Sequence, residues 1–188
     1  MRKADASESD KSRLRRDYRN QRRERFAEES WLHILDATEF ASVAQVASYI
    51  SYGEEPSTVE INAELLRRGI TLVLPRLLPD NDLEWVQWNG DENALVSHGK
   101  VLEPHGFAIR DLYAIDVVIV PALHIDRSGN RLGQGGGSYD RALARLQGWK
   151  IALVHHGEIT SEPIPVEPHD QRVNAAATPD LIVRFAAI

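Results

Sequence analysis

Four continuous runs of apolar residues alternate along this chain with segments of helical periodicity. They occupy residues 43–50, 70–75, 116–121 and 149–154. Such runs are typical of strands that are buried on both faces of a parallel sheet. A helical pattern lies between the first two runs. It begins at a capping box formed by Ser57 and Glu60 and ends at Gly69, a predicted C′ glycine. A strand, a helix and a strand in this order predict a βαβ unit and a parallel sheet.

Weaker patterns complete the predicted fold. After the third run, the apolar residues within 138–146 have helical spacing. Apolar and polar residues alternate over 83–88, as in a half-exposed strand. Residues 181–185 predict a short strand that closes the sheet. Residues 89–100 predict a loop or a short helix, and residues 102–106 predict a turn-rich connection. An earlier helix over 29–39 is expected to bury Trp31, Leu32, Ile34 and Leu35. Strands that alternate with helices predict an α/β fold, a three-layer αβα domain with a mostly parallel central sheet.

A basic N-terminal helix, beginning at Asp10 or Lys11, is predicted to pack across this domain. Its apolar stripe is thin, with Leu14 and Tyr18 as its main members, so the helix must lie on a surface. From Lys11 to Arg25, eight Lys and Arg stand against two acids, a local charge of +6 in a chain of net charge −6. The arm is expected to meet an anion, either a ligand or the acidic body, although a solvated helix face explains the charge nearly as well.

Length and composition narrow the class of protein. The 188 residues, 43% of them hydrophobic, fit one compact domain over residues 10–188, preceded by a disordered tail over residues 1–9. There is no apolar run of transmembrane length, and the absence of cysteine excludes disulfides and thiolate metal sites. We expect a cytoplasmic monomer without a membrane partner. Nucleic acid is also disfavoured as a partner, because the body is acidic and there is no second basic cluster or aromatic platform.

The most informative segment is a glycine-rich loop within residues 126–141. It holds five of the twelve glycines and joins an apolar run to a helical pattern, which points backbone N–H groups and a helix end at an anion. Arg131 and Arg141 flank it as cations, and Asp126 and Asp140 as possible metal ligands. Its spacing fits neither a P-loop nor a dinucleotide fingerprint. We favour a phosphate site over a flexible linker, since linkers rarely connect a buried strand to a helix.

Loops at the carboxyl ends of parallel strands are expected to share one cleft. Asp140 lies in the first turn of the predicted helix after the glycine loop, and Asp170 lies in a loop at the carboxyl end of a strand. Two carboxylates with phosphate oxygens are a usual magnesium site. A helix-dipole role for Asp140 and an Asx turn for Asp170 remain alternatives. Ser138 is expected chiefly to cap its helix. The histidines predict no metal site, because His155 and His156 point to opposite faces and the others are isolated in turns.

With these residues identified, the chain resembles the 5-formyltetrahydrofolate cyclo-ligase (methenyltetrahydrofolate synthetase) family from Lys11 to about Thr178. The motif is Asp126-x-x-Gly129-x-Arg131-Leu132-Gly133-x-Gly135-x-Gly137-x-Tyr139-Asp140-Arg141. Shorter matches are Lys11-x-x-Leu14-Arg15, Val120-Pro121-Ala122-Leu123, Glu55-x-x-Thr58, Pro75-Arg76, Glu103-Pro104 and Pro165-x-Glu167-x-His169-Asp170.

The resemblance implies an ATP- and magnesium-dependent ring closure. 5-Formyltetrahydrofolate, which in some cases is polyglutamylated, and ATP give 5,10-methenyltetrahydrofolate, ADP and phosphate through a phosphorylated formyl group, an iminium phosphate. The alternatives are a divergent paralogue with another substrate and a catalytically silent module that binds a nucleotide or another phosphorylated ligand.

The resemblance also assigns residues to roles. ATP is contacted by Lys11, Ser12, Arg13, Leu14, Arg15, Arg131, Leu132, Gly133, Gln134, Gly135, Gly136, Gly137, Ser138 and Tyr139. The formyl-folate is contacted by Ile50, Glu55, Gln134, Gly135, Gly136, Gly137 and Ser138. Asp140 and Asp170 hold magnesium, and Arg131 and Asp140 are the expected catalytic residues, with Arg131 neutralising the transferring phosphoryl group.

Three positions depart from the usual family pattern. A tyrosine or a basic residue is common at Gln134, a second tyrosine at Ser138, and a glutamine near Glu158. The missing aromatic at Ser138 bears on how the folate packs. Glu158 is expected to add negative charge where the pterin or the phosphates lie.

Overall fold

The structure, a computed structural model, describes residues 2–186, and for residues 2–9 the backbone alone. Its α-helices are α1 (Arg2–Arg25), α2 (Val59–Arg67) and α3 (Ser138–Leu143). Its 3-10 segments are Leu32–Asp36, Thr38–Phe40 and Glu92–Ala94. Its strands are β1 (Gln45–Ala47), β2 (Thr71–Leu77), β3 (Leu83–Trp88), β4 (Leu95–His98), β5 (Val101–Pro104), β6 (Val117–Pro121), β7 (His124–Asp126), β8 (Arg131–Leu132), β9 (Trp149–Leu153), β10 (Ile159–Thr160), β11 (Ala175–Ala177) and β12 (Ile182–Arg184).

A seven-stranded sheet in the order β12-β11-β9-β6-β1-β2-β3 forms the centre of the fold. The five inner strands are parallel, and the edge strands β3 and β12 are antiparallel to their neighbours. All four apolar runs lie in these inner strands, which confirms the predicted, mostly parallel sheet. Parallel strands covered on both faces need apolar side chains at every position, and the runs supply them.

Alternation along the strands divides the core into two layers. Val117 and Ile119 pack on one face of the sheet, with Ile61 and Leu65 of α2. Val118 and Val120 pack on the other face, with Ala142 and Leu143 of α3. Successive side chains on a strand point to opposite faces, so each face has its own helix. The three-layer αβα prediction is therefore confirmed.

Helix α1 begins at Arg2, not at Asp10 or Lys11. The expected division into a tail over 1–9 and a domain over 10–188 remains a prediction, and Met1 lies outside the described residues. Tyr18 stacks on His124 with ring centroids 3.7 Å apart. Most other contacts of α1 are made by its charged residues, on loops at the carboxyl ends of the strands. No helix in the described part of the chain is long and apolar enough to cross a membrane.

Two local predictions are wrong. The segment 29–39 forms 3-10 turns, interrupted at Ala37 by extended backbone (ψ 147°), and Leu32 is 39% exposed although the other three expected side chains are buried. The capping box is absent, because Ser57 lies outside the cap position and the Glu60 carboxylate accepts a hydrogen bond from Ser30. Gly69 does follow α2 with φ +73° as predicted, and its N–H donates to Leu66 O.

Several strands lie where the sequence predicts loops. Strands β4 and β5 pair as a hairpin within 89–106. Strands β7, β8 and β10 form a small sheet of three strands, so a hairpin separates β6 from the glycine loop. Strand β11 is a run of three alanines, which carries too little hydrophobic pattern to be recognised in the sequence.

Candidate active site

A cleft of about 610 Å³ opens at the carboxyl ends of the parallel strands. Its walls come from the loop after β1, the ends of β2 and β6, the glycine loop, the segment 167–170, and Lys11 and Arg15 of α1. The predicted convergence of these loops is confirmed. The β4–β5 hairpin adds Val101, Leu102 and Glu103 to the wall, and sequence reasoning missed them because it assigned no strand there.

Three carbonyl groups of the glycine loop are bound by arginines. Arg15 Nε donates to Gly133 O at 3.1 Å, and Arg19 Nη2 donates to Gln134 O at 2.9 Å. Arg141 Nη2 donates to Gly136 O at 3.0 Å. These contacts fix the orientations of the peptide groups in the loop.

The peptide N–H groups of the same loop are left available to a ligand. Among the residues that the structure describes, no hydrogen bond is donated by a backbone N–H of residues 133–137 to the protein. Gly135 (φ +111°) and Gly137 (φ +67°) have backbone conformations that side chains disfavour. Successive N–H groups in such a turn form an anion-binding concavity. The geometry is therefore suited to phosphate.

Arg131 is held rigidly in the wall of the cleft. Its side chain is 3% exposed, Nη2 lies 3.1 Å from Asp140 Oδ1, and Nη1 donates to Pro121 O at 3.3 Å. Its Nε has no partner among the described residues, and the guanidinium lies 5.6 Å from the Tyr139 ring centroid. The backbone N–H of Gln171 donates to the same Asp140 oxygen at 3.2 Å. A buried guanidinium in this position provides fixed positive charge beside the loop.

A second charged cluster joins α1 to the segment 167–170. Lys11 Nζ lies 2.7 Å from Glu167 Oε2 and 2.6 Å from Asp170 Oδ2. Burial opposes the charge of Lys11, but hydrogen bonds to the two carboxylates outweigh it and raise the pKa of the ammonium. One atom each of Glu167, His169 and Asp170 lies within 4.8 Å of the others, a spacing that suits a metal ion.

This cluster corrects the sequence analysis in one respect. His169 is not isolated in its turn, because its Nε2 lies 3.8 Å from Glu167 Oε2 and 3.9 Å from Asp170 Oδ1. The two expected magnesium ligands both line the cleft, yet Asp170 groups with Glu167 and His169 and not with Asp140. Glu167 was missed as a candidate ligand, although it belongs to the matched Pro165-x-Glu167-x-His169-Asp170 motif.

Glu55 and Ile50 line the end of the cleft formed by the loop after β1. Burial raises the pKa of the Glu55 carboxyl to about 7, and the Tyr52 N–H, which donates to it at 3.2 Å, offsets only part of this effect. Burial also raises the pKa of Tyr139 and Tyr49, so both phenols stay neutral. This end of the cleft therefore combines aromatic side chains with one carboxyl group that titrates near neutral pH.

The expected ATP contacts on α1 divide by helix face. Lys11 and Arg15, four residues apart, line the cleft, whereas Ser12, Arg13 and Leu14 do not. Ser12 and Arg13 are exposed, and Arg13 pairs with Asp10 at 3.3 Å. Residues four apart share one face of a helix, so a continuous run cannot all reach one ligand. For these three residues, ATP contact remains a prediction.

Gln134 and Ser138, the departures in the glycine loop, both line the cleft. Arg19 Nε donates to Gln134 Oε1 at 2.9 Å, so this side chain is held by α1. Ser138 is the first residue of α3, and the N-cap position is held by Gly137 without a side-chain hydrogen bond. The prediction that Ser138 caps the helix is therefore wrong.

Two acidic residues have structural positions outside the cleft. Asp126 is 2% exposed and accepts hydrogen bonds from the N–H groups of Ser128, Asn130 and Ile164, so the suggestion of a metal ligand is wrong. Glu158 is 7% exposed and pairs with Arg22, and does not line the cleft. The expectation that Glu158 adds charge beside the ligand is also wrong, because its partner neutralises it.

The sequence and the fold match known proteins. The sequence model of the 5-formyltetrahydrofolate cyclo-ligase family matches residues 8–179. The 5-formyltetrahydrofolate cyclo-ligase of Mycolicibacterium smegmatis is 34% identical over 144 residues, covering 71% of this chain and 73% of the relative. That of Escherichia coli is 32% identical over 145 residues, covering 73% and 79%. The NMR structure of Aquifex aeolicus 5,10-methenyltetrahydrofolate synthetase shares the fold, with a TM-score of 0.79, 24% identity, and coverage of 94% of this chain and 93% of that one.

The family match includes the parts of the chain that build the cleft. It contains Lys11 and Arg15 of α1, the glycine loop and the carboxylate cluster at 167–170. It spans far more than half of the sequence, and two curated relatives exceed 30% identity over more than two thirds of it. This chain belongs to the 5-formyltetrahydrofolate cyclo-ligase family.

Proposed function

We propose that this protein closes 5-formyltetrahydrofolate to 5,10-methenyltetrahydrofolate at the expense of ATP, with magnesium. Family membership supports the cyclo-ligase activity. The observation that carries the nucleotide part is the glycine loop, whose carbonyls are held by arginines while its N–H groups donate to no described residue. A loop of this kind, beside Arg131, is suited to a polyphosphate.

The reaction needs two groups to be brought together in one cleft. The formyl oxygen attacks the γ-phosphorus, the bond to the bridging oxygen of ADP breaks, and the formyl carbon becomes an iminium phosphate. The neighbouring folate nitrogen then attacks that carbon, loses its proton, and phosphate leaves. The protein contributes position and charge stabilisation. The cleft is one continuous space from Glu55 to the glycine loop, which supports a shared site for the two substrates.

Arg131 is our choice for stabilising the transferring phosphoryl group. Its guanidinium is buried, fixed by Asp140 and Pro121 O, and retains one N–H without a partner among the described residues. A preorganised charge in a site of low dielectric stabilises a transition state more than a mobile one does. At the other end, Glu55 and the apolar wall at Ile50 are suited to the pterin, whose ring nitrogens donate hydrogen bonds to a carboxylate.

The donors in the cleft fit a magnesium ion. Carboxylates are its preferred protein ligands, and Glu167, His169 and Asp170 come within the required spacing, with Asp140 lining the same cleft. Asp170 and Asp140 would hold the ion, and Glu167 is a further oxygen donor. When bound, magnesium would neutralise charge on the phosphate oxygens. The chain's own residues hold the loop and the substrates in place.

A turnover assay tests the proposal. Purified protein with magnesium, ATP and 5-formyltetrahydrofolate is expected to produce the absorbance of the methenyl product and stoichiometric ADP. Asp140→Ala should remove turnover while thermal melting shows an intact fold. Absence of product at high enzyme concentration refutes the cyclo-ligase assignment, and ATP binding without ADP release on any folate would indicate a binding module. An unchanged rate in Asp140→Ala would mean that neither the pair of Asp140 with Arg131 nor metal binding by Asp140 limits turnover.

A further inference from the structure

The carboxylates of the candidate metal site already carry internal cations. Lys11 Nζ is within 2.7 Å of Glu167 Oε2 and Asp170 Oδ2, and the Lys11 side chain is 5% exposed. Asp140, also expected to hold magnesium, is paired with the 3% exposed side chain of Arg131. Each of these carboxylates is thus paired with a buried positive group of the same chain, and Glu167 and Asp170 share one ammonium.

A free divalent cation must compete with Lys11 for the same oxygens. Asp170 Oδ2 accepts hydrogen bonds from both Lys11 Nζ and the Glu167 N–H, so the ammonium occupies the approach to this atom. Two carboxylates and one ammonium leave a local charge of −1, which holds a divalent ion poorly. A cation and an ammonium on one carboxylate repel each other.

A polyphosphate changes this balance. Lys11 lines the same cleft as the glycine loop, and its flexible four-carbon stem lets the ammonium turn toward phosphate oxygens. The carboxylates would then be available to the metal that accompanies the phosphate. Without such an anion, a displaced Lys11 would lose two short ion pairs and gain nothing in the described structure.

We infer that Lys11 is a specificity-determining residue that excludes the free divalent cation and admits it together with a polyphosphate. The inference rests on the proposed function for the identity of the metal and the nucleotide. It also assigns a role to Glu167, which holds Lys11 together with Asp170.

The test measures the binding of Mn²⁺ to the full chain without nucleotide. The electron paramagnetic resonance signal of the free ion reports how much Mn²⁺ remains unbound. Lys11→Met removes the ammonium and keeps the length of the side chain. It is expected to bind Mn²⁺ at least about tenfold more tightly than the wild type. Arg16→Met is the matched control, because Arg16 is 70% exposed on the same helix, outside the cleft, and its loss should leave Mn²⁺ affinity unchanged.

Equal Mn²⁺ affinity in wild type and Lys11→Met overturns the inference, as does an equal gain in Arg16→Met. A second measurement needs no substitution. The ¹⁵N-detected ammonium resonance of Lys11 should persist with millimolar Mg²⁺ alone and shift when the β,γ-methylene analogue of ATP is added. Displacement by Mg²⁺ alone refutes the inference. Neither readout involves turnover, so failure of the cyclo-ligase assay with these results intact would reject the proposed function and not the role of Lys11.

Discussion

The pair of Arg22 and Glu158 anchors helix α1 to the body of the domain. Arg22 Nε and Nη2 lie 2.7 Å and 2.6 Å from the two Glu158 oxygens, and Nη2 also donates to Ala122 O at 2.6 Å. Glu158 accepts a further hydrogen bond from the His155 N–H at 2.7 Å. Both side chains are under 10% exposed, so water cannot replace a lost partner.

The structure sets the expected cost of breaking this pair. Arg22→Met leaves Glu158 with one N–H donor in a buried site, and removal of one member of a buried ion pair costs about 3–5 kcal/mol of the free energy of unfolding. Glu158→Gln keeps one acceptor oxygen for Arg22, but its NH₂ group faces an N–H donor with which it cannot form a hydrogen bond. This substitution should lower the free energy of unfolding by about 1–3 kcal/mol. The double variant with Arg22→Met and Glu158→Gln contains no uncompensated charge. Its loss of unfolding free energy should therefore be smaller than the sum of the two single losses by at least about 1 kcal/mol.

Urea denaturation at pH 7, followed by tryptophan fluorescence, measures these free energies. Arg16→Met is the control, since it makes the same substitution on the same helix at an exposed pair with Asp17 (3.7 Å) and should have little measurable effect. The reasoning is refuted if Arg22→Met lowers the free energy of unfolding by less than about 1 kcal/mol. It is also refuted if the loss in the double variant equals the sum of the losses in the two single variants. Because α1 carries Lys11 and Arg15, Arg22→Met should also raise the KM for ATP.

Two further predictions concern the cleft. Burial raises the pKa of Glu55 from 4.5 to about 7. Between these two pH values the folded state retains a proton that the unfolded state releases. The free energy of unfolding of the wild type, relative to that of Glu55→Gln, should therefore fall as the pH rises from 4.5 to about 7. Urea titrations across this range check it, and a difference independent of pH would contradict it. Gly133→Ala places a Cβ 2.5 Å from Arg131 Nη1, whereas at Gly136 the nearest atom is 3.5 Å away. Gly133→Ala should therefore lower kcat by about tenfold or more and Gly136→Ala by less, and equal losses would show that the position of Arg131 does not limit the rate.

The central sheet was predictable because its signal is local. Each inner strand except β11 is an apolar run, and a strand buried on both faces can hardly be anything else once helices alternate with it. The exception contains only Ala175, Ala176 and Ala177, small side chains that fit where the sheet is covered closely. The β7–β8 hairpin was missed because Asp126 and Asn130 looked like loop chemistry. They are turn residues, with Asn130 donating to Asp126 through both its backbone and its side chain.

The glycine loop was recognised from composition, but its mechanism was not. Glycines indicate a close backbone approach, and the sequence contains nothing that says which way each peptide faces. That orientation depends on Arg15 and Arg19, which lie more than a hundred positions away. Glu167 was missed for the same reason, since its partner Lys11 is 156 positions distant. Long-range ion pairs of this kind leave no periodic pattern in a sequence.

The basic arm shows why the sequence left two explanations open. The sequence predicts either an anionic ligand or the acidic body as the partner for its charge. The helix pairs with carboxylates of the body through Lys11 and Arg22, and it lines the cleft with Lys11 and Arg15. Lys11 and Arg15 point into the cleft, Arg22 is buried against Glu158, and Arg16 is solvated. Since 3.6 residues make one turn, the cations of this run point in different directions around the helix, toward the cleft, the core or the solvent. The net charge of the arm is therefore larger than the charge that any one side of the helix presents. The position of an arginine or lysine around the helix decides whether it can affect catalysis.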